Sequence, residues 1–176
     1  SANGLTIFGL IAGLSSVPLL AVEQYILALY AIIVNRLVDG LDGAVARQVG
    51  KTEFGGYLDI VCDFVFYSAV VFGFALANPE QNAVIAAFVI LSFVGTGSSF
   101  LAYAILAAKH GVTTVLRGKK TFYYLGGLTE GGETIVFLVA ICTLPQLFPI
   151  LAVIFAMLCW VTTFIRIIAA RRAFLN

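Results

Sequence analysis

Between Gly4 and Val22 the chain carries no charged residue, and five more predominantly apolar runs of similar length follow it. Crossing the hydrocarbon of a bilayer takes about 20 residues of helix. The later runs extend from about Gln24 to Gln48, Gly55 to Ala77, Ala83 to Ala108, Tyr123 to Leu144 and Leu147 to Ile168. Asn78-Pro79-Glu80 reads as a turn, and Leu144-Pro145 as a break between the last two. Connections are short, and neither a repeat nor a separate domain is visible. The expectation is an all-α integral membrane protein with six transmembrane helices, residues 1–176 forming one domain.

Charge agrees. Of 176 residues, 61% are hydrophobic and 11% charged, where soluble domains carry roughly 25% charged residues. The formal net charge of +1 supplies no basic field for nucleic acid. Cys62, Cys142 and Cys159 stand singly in apolar runs and read as small buried hydrophobes. His110 is expected to be a solvated loop residue. No cleavable signal is visible, so the first run is expected to act as its own insertion signal. Because residue 1 is Ser rather than Met, a native segment is expected ahead of it. With both termini on one side, that side holds Arg47, Lys51, Lys109, Arg117, Lys119, Lys120, Arg166, Arg171 and Arg172. Arg36, inside the second run, is the tenth basic residue, and the opposite loops have none. The positive-inside rule then makes both termini cytoplasmic.

Six acids fall within these spans: Asp39, Asp42, Asp59, Asp63, Glu130 and Glu133. Carboxylates at bilayer depth cost several kcal/mol, face an interior and mark function. At about 100° per residue, Asp39, Asp42, Gly43 and Ala46 share one helix face, with Asn35, Arg36 and Arg47 at its margins. Asp59 and Asp63, four apart, share a face of the next helix, and the short link between the two runs predicts antiparallel neighbours. Four such carboxylates cannot all stay ionised in low dielectric without cations. Hard divalent ions with oxygen ligands meet that need, and Mg²⁺ commonly keeps sites for substrate phosphates. The residues thus point to a metal site handling a phosphate or pyrophosphate substrate at the inner leaflet.

Asp39-Gly40-Leu41-Asp42-Gly43-Ala44-Val45-Ala46-Arg47 followed by Gly55-Gly56-Tyr57-Leu58-Asp59-Ile60-Val61-Cys62-Asp63 resembles the signature of the CDP-alcohol phosphatidyltransferase family. All eight defining positions are present, and the gap from Arg47 to Gly55 is one residue shorter than in many members. The stretch Gly126-Gly127-Leu128-Thr129-Glu130-Gly131 resembles bacterial inner-membrane members. The resemblance implies an inner-membrane enzyme, its site facing the cytoplasm, that moves the phosphatidyl group of CDP-diacylglycerol to a small polar alcohol, leaving CMP. It implies two Mg²⁺ or Mn²⁺ ions on Asp39, Asp42, Asp59 and Asp63, with Asp39 and Asp59 bridging and Asp63 also taking the acceptor's proton. Gly43, Arg47 and Thr52 match donor-contacting positions, as do Asn3 and Thr6, although Ala2 stands where a Pro is common. Arg47 as an interfacial side chain and Thr52 as a helix cap are the plainer readings.

The acceptor is less legible. Arg36, Arg117, Lys119, Lys120 and Arg166 are candidates for an acceptor phosphate, whereas Glu130 and Glu133, on one side of the fifth helix, favour a polyol or amino alcohol. Glycines around them serve close helix packing at least as readily. The resemblance also implies a homodimer, for which Gly95, Gly97, Ser98 and Ser99 offer a small-residue surface. The alternative is a divalent-cation or small-solute transporter, since membrane carboxylates also line ion pathways. Confinement of the aspartates to one end of two helices argues against it. A non-catalytic scaffold leaves the four aspartates unexplained.

Overall fold

Proline and capping residues divide the apolar sequence into helices. The computed structural model describes residues 1–50, 52–110 and 128–175. In it, α1 (Ala2–Leu14) and α2 (Ser16–Ala21) are followed by α3 (Tyr25–Val49), α4 (Glu53–Ala77) and α5 (Pro79–Lys109). After them come α6 (Gly131–Thr143), a 3-10 turn at Pro145–Leu147, and α7 (Phe148–Phe174). No strand occurs among the described residues. The break at Ser15 follows from Pro18, whose ring crowds the carbonyl four residues back and which lacks an N–H for it. Asn78 Oδ1 accepts from Gln81 N–H at 3.2 Å with Pro79 opening α5.

Ala2–Ala21, α4, α5 and the segment Pro145–Phe174 are each long and apolar enough to cross a bilayer. At 25 residues α3 has the length too, but Arg36 near its middle and Asp39, Asp42 and Arg47 in its second half load it with charge. The described fifth helix differs from the expected span, because α6 begins only at Gly131 and has 13 residues. Tyr123, expected near its start, lies outside the described residues, as do Lys51, Arg117, Lys119, Lys120, Gly126 and Gly127.

Contacts run from α3 to α1 and α2, on to α4, α5, α7 and α6, and back to α3, so the helices close into a ring. This corrects one expectation. α3 and α4 are consecutive, yet their backbones hardly approach each other, because α1 packs against both. Glycine makes the wedge possible. A Cβ on Gly13 would lie 2.6 Å from Phe66 Cδ2 of α4 and 2.9 Å from Asn35 Nδ2 of α3, and one on Gly9 would lie 3.1 Å from Val38 Cγ1. The chain reverses between α3 and α4 at Gly50, whose φ of 108° suits only glycine.

Inside the ring, aromatic rings stack in register. Phe74 lies on Phe148 with centroids 4.7 Å apart, and Phe137 on Phe155 at 4.2 Å. Cys62, Cys142 and Cys159 are buried free thiols, as expected. Outside, Phe8, Ile11, Val84, Ile105, Val136 and Phe164 are exposed, an apolar surface that hydrocarbon matches and water does not. Gly95 and Gly97 are spent within the bundle: added Cβ atoms would lie 3.2 Å from Thr163 Oγ1 and 2.8 Å from Phe64 Cε1. His110 caps the end of α5, exposed, and stacks on Phe174.

Candidate active site

The space that α1 keeps open between α3 and α4 is filled by acids. Asp39 and Asp42 descend from the C-terminal half of α3, and Asp59 rises from the N-terminal half of α4. One carboxylate oxygen from each lies within 4.8 Å of the others. Burial grades across them: Asp42 is buried, Asp39 partly so, and Asp59 exposed. Thr6 of α1 donates its hydroxyl to Asp42 Oδ2 at 2.7 Å, which fixes the most buried of the three. Three convergent oxygen donors of like charge fit a hard divalent ion. Asp39, Asp42 and Asp59 are the residues that would hold it.

Asp63, not one of those three, lines the same small cavity as Asp39 and Asp42. Its Oδ1 accepts from Arg36 Nη2 at 2.9 Å, and the same guanidinium lies 3.5 Å from Asp39 Oδ2. Arg36 is itself held on every side. Its Nε donates to Asn35 Oδ1 at 2.7 Å, its Nη1 donates to the Tyr67 hydroxyl at 3.3 Å, and it lies over the rings of Phe66 and Tyr67. Asn35, buried, anchors to α1 by donating Nδ2 to Gly9 O at 2.8 Å. Desolvating a guanidinium this far is tolerable only because nearly every donor has a partner. Arg36, expected at the acceptor, pairs here with Asp39 and Asp63.

The expected donor contacts lie on α1, on the C-terminal half of α3 and just ahead of α4. Thr52 caps α4, accepting from Gly55 N–H at 3.0 Å, so the cap reading holds for it. Asn3 Oδ1 lies 3.2 Å from where a Gly55 Cβ would stand. Arg47 is exposed in the last turn of α3, and a Cβ on Gly43 would lie 3.5 Å from its Nη1. Of these five, Thr6 reaches the aspartates through Asp42, while Asn3 and Thr52 meet around Gly55 at the start of α4.

Glu130 and Glu133 depart from the pattern expected of them. Glu130 is the residue before α6, with extended backbone, rather than part of the helix. Glu133 reaches back to accept from Glu130 N–H at 3.0 Å, the work of a capping-box acid. Both are exposed, but the turn they form adjoins the site, since a Cβ on Gly131 would lie 3.7 Å from the Tyr67 hydroxyl. Thr129, buried, pins this turn to α7: its N–H donates to Thr162 Oγ1 at 3.2 Å and its hydroxyl shares a bond of 3.0 Å with the same atom. Arg166 is buried on α7, where Nη1 donates to Thr96 O at 3.0 Å. It ties α7 to α5.

Sequence reasoning passed over Tyr67 and gave Asn35 only a margin. A signal existed for Tyr67, which continues the four-residue step of Asp59 and Asp63 along one face of α4. For Asn35 none did, because its partner is a backbone carbonyl of another helix.

Escherichia coli (strain K12) inner membrane protein YnjF is 53% identical over 165 residues, 94% of this chain and 80% of the relative. The archaetidylinositol phosphate synthase of Pyrococcus horikoshii is 30% identical over 171 residues, 97% of this chain and 83% of the relative. The fold resembles that of Mycobacterium tuberculosis phosphatidylinositol phosphate synthase (PgsA1), solved with CDP-DAG bound. The TM-score is 0.71 at 19% identity, covering 97% of this chain and 86% of that one. The model of the CDP-alcohol phosphatidyltransferase family matches residues 1–168, and the chain is an enzyme of that family.

Proposed function

We propose that this enzyme transfers the phosphatidyl group of CDP-diacylglycerol to a small polar alcohol at the cytoplasmic face of a bacterial inner membrane. Six membrane-spanning segments, with both termini cytoplasmic, would carry the site. The observation that carries the reading is the convergence of Asp39, Asp42 and Asp59, with Asp63 beside them and outside their group. Two Mg²⁺ or Mn²⁺ ions held there would supply charge neutralisation for the pyrophosphate and the departing CMP. Asn3, Thr6, Gly43, Arg47 and Thr52 would hold the cytidine diphosphate between the ends of α1, α3 and α4. The acceptor oxygen attacks the phosphorus that bears the diacylglycerol. A new P–O bond forms, the P–O bond to CMP breaks and CMP leaves with its electrons, while the acceptor proton passes to the Asp63 carboxylate. A carboxylate is a weak base at neutral pH, so positioning supplies much of the acceleration.

A polyol or amino alcohol is the acceptor chemistry we favour. Glu130 and Glu133 are exposed on a turn beside Tyr67, where carboxylates can accept from hydroxyls or an amine, and Arg36 orders the far wall. Replacing either glutamate by Gln keeps the capping geometry and removes only charge. The expected result is a rise in acceptor KM of about tenfold to a hundredfold, the worth of a hydrogen bond to a charged group. Donor KM should stay near wild type. Wild-type kinetics with the true acceptor would make both glutamates structural.

Two copies would pair across α4 and α5. These helices share an open apolar groove lined by Phe64, Val65, Phe72 and Ile90, and a partner helix would gain packing there. Gly95 and Gly97, packed in internal contacts, would not contribute. Cysteine cross-linking at Phe72 in native membranes is expected to give a covalent dimer, and only monomer would contradict the pairing.

A further inference from the structure

We infer that Thr162 of α7 is a positioning residue for acceptor binding. Its hydroxyl oxygen locates the turn that carries Glu130 and Glu133, and so sets where an acceptor's hydroxyls or amine are held. This rests on the acceptor role proposed above for the two glutamates. Two hydrogen bonds meet at one atom. Thr162 Oγ1 accepts the Thr129 N–H at 3.2 Å and shares a 3.0 Å bond with the Thr129 hydroxyl. Both threonines are buried, so water does not compete for either bond, and an unpaired partner there would be costly.

Beyond Thr129 the turn is braced within itself. Glu133 Oε2 accepts the Glu130 N–H at 3.0 Å, and Glu130 O accepts the Thr134 hydroxyl at 2.8 Å and the Thr134 N–H at 3.0 Å. Locating Thr129 therefore locates both glutamates. The turn also meets α4, where a Cβ on Gly131 would lie 3.7 Å from the Tyr67 hydroxyl. That hydroxyl accepts from Arg36, whose guanidinium pairs with Asp39 and Asp63. The turn is thus set between Thr162 of α7 and the polar network that reaches the aspartates. Arg166, four residues on and so on the same face of α7, donates to Thr96 O at 3.0 Å, which fixes α7 against α5 one turn from the clasp. The chemistry ranks the variants. Thr162→Val keeps the shape but leaves the buried Thr129 N–H without its acceptor, the costlier kind of loss. Thr129→Val removes only a hydroxyl and leaves the N–H its partner, and Thr162→Ser keeps the oxygen.

The test uses the full chain purified in detergent, with CDP-diacylglycerol as donor and Mn²⁺ as the ion. Glycerol, myo-inositol, ethanolamine and serine serve as probe acceptors, and CMP release is followed. With the best of the four, Thr162→Val should raise acceptor KM about tenfold. Donor KM, Mn²⁺ affinity and kcat at saturating acceptor should stay within about threefold of wild type. Thr129→Val should raise acceptor KM about threefold, and it carries the test if Thr162→Val does not fold. Thr162→Ser should behave as wild type. In a Glu130→Gln/Glu133→Gln background Thr162→Val should add little further, because the groups it positions have lost their charge. Amide exchange over residues 129–134 should quicken in Thr162→Val and not in Thr162→Ser. A wild-type acceptor KM in Thr162→Val, or in Thr129→Val if that variant carries the test, would overturn the proposal and leave the acceptor role of the glutamates standing. An equal rise in donor KM or an equal loss of Mn²⁺ affinity would also overturn it, since Thr162 would then support the bundle as a whole. Wild-type acceptor KM in both glutamate variants, or no CMP release with any of the four probes, would remove the acceptor reading itself.

Discussion

Replacing Asp39, Asp42 or Asp59 by Asn is expected to cut phosphatidyl transfer about a thousandfold or more, roughly 4 kcal/mol of transition-state stabilisation. Asn keeps the shape and loses the charge, so each change removes one of three oxygen donors that converge within 4.8 Å without opening a cavity. Divalent-ion affinity should fall with activity, and circular dichroism should remain helical. The three sites should differ in what else they disturb. Asp42 is buried and accepts the Thr6 hydroxyl, so its Asn variant also loosens α1 against α3, whereas Asp59 is exposed and its variant should be as stable as wild type. Retained Mn²⁺ binding in all three variants would contradict the assignment.

Asp63→Asn is expected to cost nearly as much by another route. Removal of a positioned base lowers rates about 10²- to 10⁴-fold. Asp63 lies outside the group of three and accepts from Arg36 Nη2 at 2.9 Å. Activity should therefore collapse while Mn²⁺ binding persists, and donor KM should hold. An equal loss of metal affinity in Asp63→Asn and Asp39→Asn would make Asp63 a ligand first and a base second. Arg36 would then lose its carboxylate partner in the variant but keep Asn35, Tyr67 and Asp39, so the fold should survive.

Much of this was readable from residues alone, and the failures have physical causes. Asp39, Asp42, Asp59 and Asp63 stood out because charge within apolar runs is costly enough to demand a reason. Helix positions were legible for the same reason, since lipid imposes length and apolarity together. The wedge of α1 between α3 and α4 was not, because a short link between helices suggests adjacency and nothing local says that Gly9 and Gly13 leave room for Phe66, Asn35 and Val38. Glu130 and Glu133 were read as face-sharing helix residues although the step Glu130-x-x-Glu133 ahead of an apolar run is also a helix-start signal. The Gly131-Gly132 pair between them favours the second reading. The pairing of Arg36 with Asp63 and Tyr67 was not legible, because these partners are 27 and 31 residues away in sequence.

The central claim is metal-dependent release of CMP from CDP-diacylglycerol by an alcohol. Purified protein incubated with CDP-diacylglycerol, Mg²⁺ or Mn²⁺ and a panel of alcohols, with and without chelator, measures it directly. CMP should appear only with both the ion and a suitable alcohol, and the alcohol that stimulates release names the product. CMP release that is indifferent to chelation, or divalent-ion flux into vesicles with no CMP formed, would contradict it.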